Sequence, residues 1–335
     1  MKVIIPVAGA GTKLRPHTYT QPKALIPVAG KPILDFILDP LLEMGLNEFV
    51  FVVGYLGEKI KSHVEERYPN IKAHYPIQAD RLGVGHAILL AKEYMKENEE
   101  TMIVLGDTIV ETDFDAVINS PKSMLGVKKV EDPRKFGVVE FDKQDKIVGV
   151  VEKPVFAKSN MALVGVYKIK ETKDLFDALE LLAKKELQDG EEIHLTDALM
   201  SMIQQGVEFD SFRADNWYDC GRAEILLETN AKLLKNSKFV SSTPASQNDA
   251  VIIPPVHIAK GAKIKNSIVG PNVTVGENAE VTRSILSNSI IGDFAKLDHI
   301  VLKDSVIGSD TSIKGFSQSL NIGDNTDINF SSNNS

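Results

Sequence analysis

Residues 1–240 alternate short apolar runs with longer segments of helical spacing. Val3 to Val7 is a continuous apolar run of strand length, closed by Ala8-Gly9. From Ile33 to Met44, the residues Leu34, Ile37, Leu38, Leu41 and Leu42 recur at helical intervals, which predicts a helix with one buried face. Glu48 to Val53 reads as a strand and Leu56 to Tyr68 as a helix. Further strands are predicted at Ile71–Tyr75, Thr101–Leu105, Met124–Lys129, Gly137–Phe141 and Leu163–Ile169. Strands separated by helices need crossover connections, which gives an α/β fold with a mostly parallel sheet and helices on both faces.

From about residue 250 the pattern changes. Ile258 and Ile264 are six apart; so are Val269, Val275 and Val281, then Ile291 and Leu297, then Ile307 and Ile313. Glycine follows several of them, as in Val269-Gly270, Val275-Gly276, Ile291-Gly292 and Ile307-Gly308. An aliphatic period of six predicts a hexapeptide β-helix, and helices with 3.6 residues per turn cannot keep that spacing. The register breaks between 264 and 269, 281 and 291, and 297 and 307 predict bends in some coils. The chain therefore divides into residues 1–240 and a β-helix over 250–325. Ser237 to Asp249, rich in Ser, Asn and Pro, is the expected linker. The tail Ser331-Ser-Asn-Asn-Ser335 is expected to fray.

The 46 acidic against 38 basic residues give a formal charge of -8, which argues against bulk attraction to nucleic acid. With one cysteine, Cys220, neither an intrachain disulfide nor a cysteine-built zinc site is available. No apolar run approaches the roughly 18 residues of a membrane-spanning helix. The start MKVIIPVAGAG is interrupted too early for a signal peptide. A cytoplasmic protein with no membrane partner is expected.

Candidate chemistry sits where apolar runs end. Val3–Val7 opens into Gly9-Ala-Gly-Thr-Lys-Leu-Arg-Pro16, a glycine turn carrying Lys13 and Arg15. Such a turn lets backbone N–H groups approach an anion, and it serves equally as the first tight turn of an α/β unit. It has neither Walker A nor G-x-G-x-x-G spacing. Lys23, pinned in Pro22-Lys-Ala-Leu-Ile-Pro27, adds a cation and tips the balance toward phosphate. Asp107 follows the strand Thr101–Leu105, at the edge where open sheets bind ligands. Asp219, in Trp217-Tyr-Asp-Cys-Gly221, offers a distant second carboxylate. Two converging aspartates suit Mg²⁺; apart, each is an ordinary turn or cap residue.

Taken together, these stretches resemble the sugar-phosphate nucleotidyltransferases, over nearly all of residues 1–235. Gly9-Ala-Gly-Thr-Lys-Leu is similar to the family loop G-x-G-[ST]-R-[LM]. Pro22 through Pro32 is similar to P-K-x-L-x-P-V-x-x-K-P, and Gln78 through Ala87 to Q-x-x-x-x-G-x-x-x-A. Gly106-Asp107, Phe136-Gly-Val-Val139, Glu152-Lys-Pro154, Val164-Gly165, Thr196-Asp197 and Trp217 through Gly221 follow in the family order. The resemblance implies a Rossmann-like catalytic domain followed by a short left-handed parallel β-helix. It also implies in-line transfer of a nucleotidyl group to a sugar 1-phosphate, with no covalent enzyme intermediate. By resemblance, Gly9, Gly11 and Thr12 cradle the triphosphate with Lys13 facing it, and Lys23 neutralises the α-phosphate region. Asp107 and Asp219 hold Mg²⁺, and Gln78 and Gly83 read the base. Gly137, Glu152 and Val164 line the sugar site, and Lys153 meets the sugar phosphate.

The amide of Gln78 matches a pyrimidine imide, so dTTP or UTP is expected. Leu163 stands where relatives specific for N-acetylglucosamine carry Asn, which favours glucose 1-phosphate. The family loop has Arg where this chain has Lys13, and an ammonium does not grip phosphate bidentately. That departure motivates an alternative: a non-catalytic relative that binds a nucleotide sugar or regulates. A dinucleotide-dependent oxidoreductase is discounted, because the first acidic residue at the required distance, Asp35, lies inside a helix pattern. The β-helix is expected to drive homo-oligomerisation or packing, in preference to acetyl transfer through His257 or His299.

Overall fold

The computed structural model describes residues 1–96, 99–184, 191–236 and 249–315. Residues 237–248 of the expected linker, and everything after residue 315, lie outside the described residues. The chain divides into two compact units, Met1–Val240 and Ser241–Ser335.

In the first unit the strands and helices are β1 (Lys2–Pro6), α1 (Ile33–Glu43), β2 (Glu48–Val52), α2 (Gly57–Arg67), β3 (Lys72–His74), α3 (Gly83–Leu89), β4 (Thr101–Val104) and β5 (Thr108–Glu111). There follow β6 (Ser123–Lys129), β7 (Gly137–Phe141), β8 (Ile147–Glu152), β9 (Met161–Ile169), α4 (Thr172–Ala183), α5 (Leu195–Gln204), β10 (Phe209–Arg213), β11 (Asn216–Asp219) and α6 (Ala223–Leu234). The sheet has the order β8-β7-β9-β4-β1-β2-β3, with β6 on β9 and β10 on β6. Its centre, β4-β1-β2-β3, is parallel. This is why Val3, Ile4, Ile5 and Phe49–Val52 read as unbroken apolar runs: both faces are buried. The flank β9, β7 and β8 is antiparallel. α1 buries Leu34, Ile37, Leu38 and Leu41 of the residues that set its period, while Leu42 is only half-buried.

In the second unit short strands stack in parallel into three sheets, as a hexapeptide β-helix requires. Ile264 lies on Val281 and Val281 on Leu297; Val275 lies on Ile291. The six-spaced aliphatics point inward and form one core with Ile258 and Val269. Corners are turned by left-handed residues, including Asn266, Arg283 and His299 (φ 48°, 48° and 54°). Behind them a ladder of serines is satisfied locally. Ser267 and Ser284 each donate to a carbonyl two residues back at 2.7 Å, and Ser267 Oγ accepts from the Ser284 amide at 3.0 Å. No helix of the described residues is long and apolar enough to cross a membrane.

Candidate active site

Two parallel strands end side by side. β1 runs into Val7-Ala-Gly9-Ala-Gly11 and β4 into Leu105-Gly106-Asp107, so their pairing brings both loops to the carboxyl edge of the sheet. The loops are in close contact: a Cβ on Gly106 would stand 2.2 Å from Val7 Cγ1 and 2.9 Å from the Pro6 carbonyl. Gly11 is left-handed (φ 60°), and its carbonyl accepts from the Thr18 hydroxyl at 2.8 Å. A Cβ on Gly9, by contrast, would meet nothing within 4 Å. Gly11 is thus fixed by packing, while Gly9 leaves open space for a ligand.

Gly9, Gly11, Thr12, Lys23, Gln78, Gly83 and Asp107 line one cavity of about 440 Å³. The Gln78 amide is held at both ends of its segment. Its backbone N–H donates to Val53 at 2.8 Å, and its Nε2 donates to the Gly83 carbonyl at 3.0 Å and lies 3.1 Å from His86 Nδ1. At the start of α3 the chain presses on residue 193. Gly85 N–H donates to the Ile193 carbonyl and Ile193 N–H to the Leu82 carbonyl, each at 2.8 Å. A Cβ on Gly83 or Gly85 would sit 2.7 Å from that Ile193 oxygen. This contact brings Glu192 to the cavity wall, where it joins Arg81. The sequence reading did not single out Arg81, Glu192 or Gly85. Their signal was Gly83-Val-Gly85 opening a helix, which marks a close backbone approach without saying to what.

The two aspartates meet through a small separate ladder. β11 pairs antiparallel with β5, setting Asp219 opposite Thr108, the neighbour of Asp107. Cys220 N–H donates to the Asp107 carbonyl at 3.1 Å. Lys23 Nζ lies 2.6 Å from Asp107 Oδ2. Burial raises the Asp219 carboxyl above the usual range and the Asp107 charge raises it further; Lys23, Lys13 and the Gly221 amide oppose the rise. Burial also pushes the Cys220 thiol up to about 12, so it is no nucleophile at neutral pH. Lys13 is exposed and does not line the cavity, yet its charge acts on Asp219. No cluster of three or more metal-ligating side chains occurs among the described residues.

A second groove, about 610 Å³, is lined by Glu152 and Lys153 with His194 and Asp197. The register of β7 and β8 sets Gly137 opposite Glu152. The Glu152 carboxylate accepts from Thr196 Oγ1 at 3.2 Å and lies 3.1 Å from Lys153 Nζ. A Cβ on Gly137 would stand 2.9 Å from Thr196 Cγ2, 3.1 Å from Leu163 Cδ1 and 3.2 Å from Glu152 Oε2, so a larger residue there crowds the groove beside this carboxylate. Val164, on β9, is buried and lines neither cavity. Phe136 packs edge-on against Trp217, centroids 4.8 Å apart, which joins the start of β7 to the strand carrying Asp219. The buried Nε1 of Trp217 has no hydrogen-bond partner among the described residues.

A glycine-lined cavity at the carboxyl edge of a parallel sheet, with Lys23 and Asp107 on its wall, is where open α/β sheets bind ligands. Comparison with known proteins makes this specific. The family model described as nucleotidyl transferase matches residues 2–236, and the one described as GlmU-like, C-terminal hexapeptide matches residues 233–323. The chain belongs to the nucleotidyl transferase family. It is 34% identical over 338 residues to the bifunctional protein GlmU of Methanococcus maripaludis, covering 92% of this chain and 78% of that protein. It is 29% identical to the glucose-1-phosphate thymidylyltransferase of Streptomyces antibioticus, covering 87% of each. A solved UDP-glucose pyrophosphorylase complexed with UDP-glucose shares the fold with a TM-score of 0.60 at 24% identity, over 70% of this chain and 98% of that one.

Proposed function

We propose that this chain transfers a nucleotidyl group from dTTP or UTP to a hexose 1-phosphate, with glucose 1-phosphate the favoured acceptor. The carrying observation is the Lys23–Asp107 pair on the wall of the glycine-lined cavity, with Asp219 set opposite Thr108, the neighbour of Asp107, on the adjoining ladder. In this reading Gly9, Gly11 and Thr12 offer backbone donors to the triphosphate, while Gln78 and Gly83 address the base. Glu152 accepts from sugar hydroxyls beside Gly137, and Lys153 meets the sugar phosphate. Val164, buried on β9 and lining neither cavity, can reach the acceptor only through its main chain. A phosphate oxygen of the acceptor attacks the α-phosphorus in line; the bond to the β-phosphate oxygen breaks and pyrophosphate leaves. Lys23 neutralises charge that builds on the equatorial oxygens, and Lys13 adds charge from the rim.

The residues fit a divalent cation. Burial first and the Asp107 charge second raise the proton affinity of Asp219, and a cation beside the two carboxylates would offset both. Two protein carboxylates also match Mg²⁺, which keeps waters and phosphate oxygens in its shell. Bound there, Mg²⁺ supplies charge neutralisation on the triphosphate. The acceptor and base assignments rest on Leu163 and Gln78 and on the thymidylyltransferase likeness. The same reading places the enzyme in the cytoplasm, with small-molecule substrates and no nucleic acid or membrane partner, and makes the hexapeptide unit a homo-association module.

The exposed Lys13 favours a second reading, a relative that binds nucleotide sugar without turnover. One assay separates the two: pyrophosphate release with Mg²⁺, each of four nucleoside triphosphates and a small panel of sugar 1-phosphates. Release with dTTP or UTP and glucose 1-phosphate is expected. Nucleotide binding with no release for any acceptor would overturn the enzyme reading.

A further inference from the structure

Gln78 lines the nucleotide cavity from a fixed backbone, since its N–H donates to the Val53 carbonyl at 2.8 Å. The end of its side chain is fixed as well. A carbonyl oxygen only accepts, so the atom 3.0 Å from the Gly83 carbonyl is the amide nitrogen, Nε2. The same nitrogen lies 3.1 Å from His86 Nδ1. An amide nitrogen donates and does not accept, so Nδ1 is the acceptor and the neutral imidazole carries its proton on Nε2. Two acceptors thus engage the two amide hydrogens of Gln78. Its oxygen, Oε1, is the group left to address a ligand, and an amide oxygen only accepts. His86 is half-buried on α3, three residues beyond Gly83 and on the same helix face, and it does not line the cavity. It acts on a ligand through Gln78 or not at all.

We propose that His86 is a positioning residue for base selection. By taking the second N–H of Gln78 it holds the amide with Oε1 toward the base, and so selects uracil or thymine against cytosine. N3 of uracil or thymine carries a proton and donates to Oε1. N3 of cytosine carries a lone pair, which sets nitrogen against oxygen with no proton between them. Turning the amide over would offer cytosine a donor. It would also bring Oε1 against the Gly83 carbonyl and His86 Nδ1 together, two acceptors with nothing to donate. Gly83 alone opposes that turn through one contact, and His86 adds the second. A histidine that only packed α3 against its surroundings would not distinguish one pyrimidine from another.

This inference rests on reading the cavity as the nucleotide site, and the test separates the two. Affinities for dTTP, UTP and CTP with Mg²⁺ are measured by calorimetry on the full chain, which reads the ratio whether or not the chain turns over. Pyrophosphate release with glucose 1-phosphate gives kcat and KM, and circular dichroism checks folding. The unaltered protein is expected to prefer UTP and dTTP to CTP. His86→Leu removes the acceptor and is expected to lower the UTP-to-CTP ratio about tenfold, through KM and not kcat, because the base is remote from the reacting phosphorus. His86→Asn sets a side-chain oxygen near the place of Nδ1 and is expected to keep the ratio. His86→Gln carries its oxygen one carbon further and is expected to lose it. Both are polar, so this pair decides even where His86→Leu does not fold. In a Gln78→Ala chain the further change His86→Leu is expected to leave the ratio unmoved. No affinity for any of the three nucleotides overturns the nucleotide reading of the cavity, and this inference with it. A preference for UTP over CTP that every His86 variant shares overturns this inference alone. An equal loss of affinity for UTP and CTP does the same, since that is the mark of a merely structural histidine.

Discussion

Asp219 carries an opposition between stability and function that its surroundings make measurable. Its carboxyl is raised by burial first and by Asp107 second. A raised acid favours the folded state while protonated. That contribution is full below the ordinary carboxylate value near 4 and is lost as pH rises through the folded value. At pH 7 the ionised group therefore opposes folding, and Asp219→Asn is expected to raise the melting temperature of the metal-free protein, less so in acid. Mg²⁺ reverses the sign: it should stabilise the unaltered protein more at pH 7 than at pH 4.5, and lose most of this effect in the variant. Turnover should fall about 10²–10³-fold in both Asp107→Asn and Asp219→Asn. Melting curves with and without Mg²⁺ across pH check the first claim, and pyrophosphate release the second. Full activity in either variant would show that the dyad is misassigned. At Lys13 the charge acts from an exposed rim. Lys13→Ala should cost about ten- to a hundredfold in kcat/KM, the range for losing a charged hydrogen bond. Lys13→Arg should equal or exceed the native chain, since a guanidinium grips two oxygens at once.

At the scale of elements, the site depends on two contacts that local pattern conceals. α1 and β1 were legible because each is long, strongly periodic and buried: Leu34, Leu38 and Leu41 fall on one face, and Val3–Ile5 sit inside a sheet. The β-helix was legible because each six-residue step buries one aliphatic, as at Val269, Val275 and Val281. β5 and β11 were not predicted. Asn216-Trp-Tyr-Asp219 has no alternation, and its partner lies more than a hundred residues away. The sequence named Asp107 and Asp219 as candidates, but only this ladder explains why they meet. The same holds at α3, where Gly85 touches the Ile193 backbone across the sheet edge. Because that carbonyl is held by Gly85 itself, it has little room to retreat. Gly85→Ala should destabilise the first unit by about 1–3 kcal/mol and weaken nucleotide binding, as urea titration and calorimetry would reveal. An unchanged midpoint would mean the Ile193 segment yields freely.

For the molecule as a whole, the position of α6 decides where the chain can be divided. Every proposed site residue lies at or before Asp219, so a cut at Gly221 looks harmless on a list of motifs. It is not harmless in the fold. Asn230, fully buried on α6, accepts from the Ala29 amide at 2.8 Å through its side-chain oxygen. Ala29 has a left-handed backbone (φ 46°) in the turn between Pro27–Val28 and Lys31–Pro32. That turn directly follows the helical turn carrying Lys23, so removing α6 leaves a buried N–H unpaired, at about 1–3 kcal/mol, and exposes Leu226, Leu233 and Leu234. A chain ending at Asn236 keeps all of this. It should fold, retain pyrophosphate release to within about twofold as an independent domain does, and lose association. One ending at Gly221 should aggregate or melt far lower. Turnover and mass measured on both fragments check the division. Loss of turnover in the longer fragment, with its fold intact by circular dichroism, would mean that the second unit contributes to the reaction itself.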